Sequence, residues 1–300
     1  MLLKKLLTAS LLLLVIGGCN NNVKTDTYKP KTLKVQFVPS QNAETLEAKA
    51  KPLGKLLSKE LDMPVEVSIA TSYNTIVEAL RSKQADVAFL PPTAYVLAHD
   101  KKAADVVLKA LHETDINGTK KVTDYYRGQF VVNKNSSIDS IDDINGKRIA
   151  LQESTSTSGY LYPVGLLKDH NIDVNKDVKS VMVKGHDKAI TALINKEVDV
   201  AATFQDARDY LEKDYPRIKS ETRIIATTEK IPNDTISVQS QLDRQLKEKV
   251  KKAFITLSKD DSSKKIIKEI YSHDGYAETK DSEYDIIRKY VHTQAAIVKE

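Results

Sequence analysis

The tract Glu153-Ser-Thr-Ser-Thr-Ser-Gly159 concentrates more polar chemistry than any comparable stretch of the chain. Arg148–Leu151 before it reads as a short buried strand after an Asn145-Gly146 turn, and Tyr160–Leu167 after it has helical spacing. The hydroxyls and the glycine therefore fall where a strand passes into a helix. A helix N-terminus there exposes unpaired N–H groups and about half a positive charge. Gly159 lets backbone approach a ligand closely, and Ser156, Thr157 and Ser158 add hydroxyl donors. The chemistry is that of an oxyanion site built without a lysine. A helix N-cap needs one hydroxyl, and this tract supplies five in a row.

Three more donors can converge on that tract. Tyr73 opens one helical pattern, Tyr95 follows Leu90-Pro91-Pro92-Thr93-Ala94 after a buried strand, and His186 follows Lys184-Gly185. A phenol O–H and an imidazole N–H both donate to oxyanions. The structural alternatives are core aromatics for the tyrosines, a surface turn for His186 and a helix cap for Asp187. Other anion and ester chemistries lack their signatures. G-x-x-x-x-G-K-[ST] is missing, as are G-x-S-x-G and any H-x-x-x-H pair. A hydrolase using Ser154, Ser156 or Ser158 with His186 and Asp206 remains the enzymatic alternative, although a hydroxyl tract differs from a single strained elbow.

From Leu33 onward, strand and helix patterns alternate, which predicts an α/β fold with mainly parallel sheets. Leu33–Val38, Pro64–Ile69 and Ala85–Leu90 read as strands. Ala43–Leu61 reads as a helix that Pro52 interrupts, and Thr75–Lys83 as another helix. Tyr73–Leu90 can be laid on His186–Thr203 at constant offset, sharing A-L-x-x-K-x-x-D-V-A. This repeat predicts two similar lobes whose opening residues, Tyr73 and His186, face one cleft. Ligands in open α/β sheets bind beyond the strand C-termini, near helix N-termini. Tyr125–Asn133 reads as a strand leaving the first lobe, with Thr222–Lys230 and Thr235–Val238 as the return. The expected division is residues 33–124 plus 235–300 in lobe 1 and 125–234 in lobe 2, a clamshell with two hinge strands. The C-terminal helices Leu242–Ser258 and Ser262–Tyr271 complete the first lobe.

The composition, 41% hydrophobic and 29% charged, is that of a globular protein. Forty-six basic and 41 acidic residues are spread along the chain and give a net charge of +5, so no nucleic-acid tract is expected. A lone cysteine excludes an internal disulfide and any metal site needing two thiolates. That cysteine closes MLLKKLLTASLLLLVIGGC, in which Lys4 and Lys5 precede an apolar run and Gly17-Gly18 precede Cys19. The arrangement resembles a bacterial lipoprotein signal over residues 1–18, with cleavage before Cys19 and lipid on its thiol. Residues 19–32, polar and aperiodic, read as a flexible tether. An anchored extracytoplasmic body has no access to cytosolic ATP.

Taken with S-T-S-G at Ser156–Gly159, three other stretches complete a pattern. They are the run ending E-A-L at Leu80, D-V-A-F-L-P-P-T-A-Y at Asp86–Tyr95 and G-H-D at Gly185–Asp187. Over residues 33–275 the chain resembles the phosphonate-, phosphite- and phosphate-binding lipoproteins of ABC importers, the PhnD-type family. The resemblance implies a two-lobe periplasmic-binding-protein fold of type II. It also implies that Tyr73, Tyr95, Ser156, Thr157, Ser158 and His186 hold the ligand oxygens, with no cofactor or metal. It places Asp206 and Asp234 where carboxylates hold a ligand amine, Asp206 being shorter than the Glu that can stand there. The implied partners are a small oxyanion, an ABC permease with its ATPase, and the membrane through the lipid anchor at the extracytoplasmic face. A sulfonate or thiamine-precursor ligand on the same fold is the remaining alternative.

Overall fold

The computed structural model describes residues 27–116 and 118–297; the signal segment and Cys19 lie outside the described residues. The chain runs β1 (Leu33–Phe37), α1 (Ala43–Leu61), β2 (Val65–Ile69), α2 (Tyr73–Arg81), β3 (Val87–Leu90), α3 (Pro92–Asp100), β4 (Ala104–Ile116), β5 (Thr119–Thr123) and β6 (Tyr125–Asn133). It continues through β7 (Arg148–Leu151), α4 (Tyr162–Asp169), β8 (Lys179–Met182), α5 (His186–Ile194), β9 (Val200–Phe204), α6 (Ile218–Glu221), β10 (Thr222–Pro232) and β11 (Thr235–Gln239). It ends with α7 (Arg244–Leu257), α8 (Asp261–Tyr271), β12 (Gly275–Glu278) and α9 (Asp285–Ile297).

Two sheets form. One has the order β12-β4-β11-β3-β1-β2, with β5 added on β4; the other has the order β10-β6-β9-β7-β8. β1–β3 and β7–β9 pair in parallel, as helix crossovers require, but every pairing that involves β4, β5, β6, β10, β11 or β12 is antiparallel, so the sheets are mixed and not mainly parallel as expected. β3 is buried along its whole length, since helices cover both faces of such a sheet. The chain passes between sheets at β5–β6 and returns at β10–β11, which makes the two-lobe fold discontinuous in sequence. Among the described residues no helix is long and apolar enough to cross a membrane.

The internal repeat corresponds to matching geometry. α2 and α5 start at Tyr73 and His186. Each unit then turns through a lysine in the left-handed region, Lys83 (φ 61°) and Lys196 (φ 59°). Each ends on an aspartate whose carboxylate takes a backbone N–H from the neighbouring strand. Asp86 accepts from Lys34 at 2.8 Å and Asp199 from Arg148 at 2.9 Å.

Two details differ from the sequence reading. α1 runs unbroken through Pro52. Pro52 and Ala48, whose carbonyl loses its helical donor, are both on the exposed face, so water can satisfy that carbonyl. Leu46, Ala50, Leu53, Leu57 and Leu61 meanwhile bury one continuous stripe. Within the expected tether of residues 19–32, Tyr28 is held to the folded body. Tyr28 forms a parallel bridge with Leu242, its N–H donating to Gln241 O (2.8 Å) and its O accepting from Asp243 N (2.9 Å).

Candidate functional site

The lobes meet around a cleft of about 310 Å³ lined by Tyr73, Ser156, Ser158, His186, Asp206 and Asp234 among others. Its floor is the junction after β7. Ser156 caps a π turn over Thr157–Leu161, in which Leu161 N–H reaches Ser156 O at 3.0 Å and Ser156 Oγ accepts from Gly159 N–H at 3.2 Å. Such wide turns leave their first N–H groups without helical acceptors. The Ser156 hydroxyl donates to Gln152 Oε1 over a long 3.3 Å, so its proton can turn to a stronger acceptor.

His186 is a buried neutral donor. Its Nδ1 accepts from the Phe204 N–H (3.3 Å) and sits 2.9 Å from Gln152 Nε2. A backbone N–H can only donate, so the ring proton resides on Nε2. Burial pushes the imidazole pKa down to about 3, which keeps the ring uncharged at neutral pH. Gly185 before it takes φ +96°, and a side chain there would press on Asp187 and on the Gln41 backbone.

Tyr73 is almost wholly buried at the start of α2, and its phenol interacts with Ser156; burial foremost pushes its pKa up, so it stays a donor. The first helical N–H groups of α2 and α5 are used between the lobes. Tyr73 N–H donates to Glu153 Oε2 (3.1 Å) and His186 N–H to Ser40 O (2.8 Å). Asn42 N–H donates to Asp187 Oδ2 at 3.1 Å, which gives Asp187 a role across the cleft.

Two expected ligand hydroxyls have protein partners in this structure. Tyr95 is fully buried on α3, donates to Asp281 Oδ1 at 2.7 Å and packs edge-on against Tyr284. Thr157 turns its hydroxyl to lobe 1. It accepts from Thr93 N–H and shares a hydrogen with Thr93 Oγ1, both at 2.9 Å, which ties the lobes together.

Other cleft residues were not singled out by the sequence reading. Tyr126, the second residue of β6, lines the cleft with its phenol interacting with Ser158 and Thr157. Ser40, after β1, also lines it, with its buried Oγ near the Tyr271 phenol. The only available signal for Tyr126 was its position at the point where the chain enters the second lobe.

The acids have distinct settings. Asp206 sits in the left-handed region (φ 65°) at the cleft mouth and makes no side-chain cap bond to the turn that follows. Burial, then the neighbouring Asp209, pushes its carboxyl pKa up. Asp234 lies between β10 and β11 beside the tyrosines, and burial pushes it up to about 7. The enzymatic alternative finds no assembled triad. Among the described residues, no hydrogen bond joins a serine of the tract to His186, nor Asp206 to the imidazole. No group of His, Cys, Asp and Glu among the described residues could hold a metal ion.

Two α/β lobes that meet at a donor-lined cleft and are joined by two crossing segments have the architecture of a solute-binding protein. A family model described as the periplasmic substrate-binding protein of a phosphonate ABC transporter matches residues 35–284, and the chain belongs to that family. It is similar to the phosphate-import protein PhnD of Mycolicibacterium smegmatis, with 25% identity over 82% of this chain and 79% of the relative. It is equally similar to the phosphonates-binding periplasmic protein of Escherichia coli, with 25% identity over 80% of this chain and 70% of the relative. In fold it is similar to PhnD1 of Prochlorococcus marinus solved with methylphosphonate. That likeness has a TM-score of 0.77 and 22% identity, and covers 89% of this chain and 99% of the other.

Proposed function

We propose that this protein captures a phosphorus oxyanion (a phosphonate, phosphite or phosphate) between its lobes and delivers it to an ABC permease and its ATPase, while lipid on Cys19 holds it at the extracytoplasmic face of the cell membrane. The observation that carries this reading is the convergence of neutral donors from both lobes on one cleft. Tyr73 and Ser40 come from one lobe, and Ser156, Ser158 and the Nε2–H of His186 from the other. Tyr126 joins them from the strand that crosses between the lobes. Each hydrogen bond to a charged oxygen contributes about 1.5–3 kcal/mol, and micromolar capture needs only about −8 kcal/mol net. Donors without charge also allow release, which a carrier requires. The names of the relatives support the ligand class, being an importer of phosphate and a binder of phosphonates.

Thermal shift and calorimetry with phosphate, phosphite, methylphosphonate and 2-aminoethylphosphonate test the reading. At least one should bind near micromolar and add about 2.7 kcal/mol of stability at a hundredfold excess over Kd. Binding of none of them overturns it. Loss of Cys19→Ser protein from the membrane fraction checks the anchor.

A further inference from the structure

Lobe 1 carries a second, open groove of about 590 Å³ that takes no part in the ligand cleft. Three of its seven lining residues, Lys83, Arg244 and Lys247, are basic and none is acidic. The acids nearby are already engaged. Asp105 is paired with Lys247 at 2.6 Å and Asp243 with Lys29 at 3.4 Å, and Asp243 also caps α7 by accepting the Leu246 N–H. Lys83 lies over the Tyr28 ring, 5.2 Å from its centroid, and Arg244 is exposed at the start of α7. Among the described residues neither pairs with a carboxylate. Two more exposed cations stand close by: Lys102, whose carbonyl accepts from Ser240 Oγ at 2.6 Å, and Lys31, three residues past Tyr28.

The groove and the cleft lie at opposite ends of lobe 1. The cleft residues Val38 and Pro91 follow β1 and β3, and Tyr73 opens α2. The groove sits where those strands begin and where α2 has ended, at Lys83. β11, antiparallel to β3, hands the chain to Ser240 at the same end. Tyr28 is fixed there by its bridge to Leu242, and Thr27 before it lines the groove. Eight residues separate Cys19 from Tyr28. A chain of that length spans about 30 Å at full stretch and about 17 Å as a flexible coil. Lipid on Cys19 would therefore hold this end of the body, and not the cleft, close to the headgroups.

We propose that this basic groove docks on the headgroups of anionic phospholipids: Lys83 and Arg244 take lipid phosphates, Lys31 and Lys102 add charge around them, and the body stands on the membrane with its cleft turned to the solution. The geometry rests on the lipid anchor of the functional reading above. The tether supplies proximity, and the groove supplies orientation. Each cation at an anionic bilayer strengthens binding about fivefold, and the attraction fades beyond about 8 Å at physiological ionic strength. The tether alone lets the body stand off farther than that. Docked on this groove, the cleft fills from the solution side, and the body then tips over to present its ligand to a permease, which a contact of a few cations permits.

Vesicle sedimentation tests the groove without the anchor, using unlipidated residues 20–300, which contain every described residue. Binding to vesicles with one-third phosphatidylglycerol should exceed binding to pure phosphatidylcholine at least about a hundredfold at low salt. It should fall at least about tenfold when salt rises from about 0.1 M to about 0.5 M. Lys83→Gln combined with Arg244→Gln should reduce it about 25-fold, from two cations at about fivefold each. The same loss of charge on lobe 2, through the exposed Lys168→Gln and Lys213→Gln, should change it less than about threefold. Thermal unfolding checks that both double variants stay folded; if the first does not, the wild-type lipid preference and salt dependence decide. Equal binding to the two kinds of vesicle, or equal losses in the two double variants, overturns the inference and leaves capture of an oxyanion intact. Failure of the phosphorus oxyanions to bind, or of Cys19 to anchor the chain, would show in the experiments above and not in this one.

Discussion

A phenol serves an anion site only when its hydroxyl ends in the cleft, and Tyr126 and Tyr95 differ on that point. Tyr126→Phe should remove a ligand donor and raise Kd about five- to hundredfold, from the roughly 1–3 kcal/mol cost of leaving a buried oxygen unpaired. Tyr95→Phe should leave Kd unchanged and lower folding stability by about 1 kcal/mol, through loss of its bond to Asp281. Calorimetry and denaturant unfolding on both variants separate the two effects, and weakened binding in the Tyr95 variant would put that phenol back in the cleft. The sequence could not make this distinction. α3 buries Ala94, Tyr95, Val96 and Ala98 around most of its circumference, so its pattern names no cleft-facing side. In Tyr125-Tyr126 the strand alternation puts one ring on each face, and Tyr125 instead carries Lys230 over its ring at 4.0 Å. Which face meets the ligand depends on where the other lobe lies.

The π turn is the element on which the site depends. Its width lets Ser156 cap the turn and Gly159 come up against Gln152, the residue that holds the His186 ring. A Cβ on Gly159 would lie 2.5–2.8 Å from the Gln152 amide atoms. Gly159→Ala should therefore displace that amide and free the imidazole, weakening binding at least about tenfold and costing roughly 1–3 kcal/mol of stability. Unfolding curves and ligand titration measure the pair; normal values for both would show that Gln152 has another stable position. The strand-to-helix junction was legible from Arg148–Leu151, the hydroxyl tract and the helical spacing beyond it. The π geometry was not, because one wide turn shifts the apolar pattern by a single residue and leaves the helical period intact. The matched helices α2 and α5 were legible for a simpler reason. Each must place the same apolar face on its sheet and the same aspartate at the next strand, so the constraint is written into A-L-x-x-K-x-x-D-V-A.

At the scale of the molecule, the alternation of strands and helices was enough to indicate two α/β lobes. It left unseen how closely the lobes engage. Thr157 meets Thr93, Glu153 meets Tyr73, and Asp187 meets Asn42. Leu161 and Tyr162, next to the hydroxyl tract, pack into the core of the first lobe. α9 also reaches the second lobe, stacking Tyr290 on Tyr162 with ring centroids 4.4 Å apart. An amphipathic stripe states that a helix has a partner and does not state which one. Contacts of this kind depend on three-dimensional proximity between segments far apart in sequence, and no local pattern encodes them.

The acidic lining of the cleft has a consequence for how fast a ligand arrives. Glu113, Asp206, Asp209 and Asp274 border the entrance; Asp274 is paired with Lys268, Asp209 with Lys219 and Glu113 with Lys120, so Asp206 is the acid that gives an incoming anion a weakly repulsive local field. The net charge, +5 over the whole sequence and +3 without Lys4 and Lys5 of the signal segment, is spread along the chain and offsets this weakly. Dissolved ions shorten the reach of such a field to about 10 Å at 0.1 M and about 3 Å at 1 M. An anion-binding protein that steers its ligand through a basic funnel is slowed by added salt, which screens the funnel. Here stopped-flow association of methylphosphonate should speed up, by about two- to fivefold between low and physiological ionic strength, with dissociation little changed. A rate that falls instead would mean that the wider surface, and not the entrance, sets the field the ligand feels. Loading would then be favoured in salty surroundings, where a carrier steered by lysines becomes sluggish.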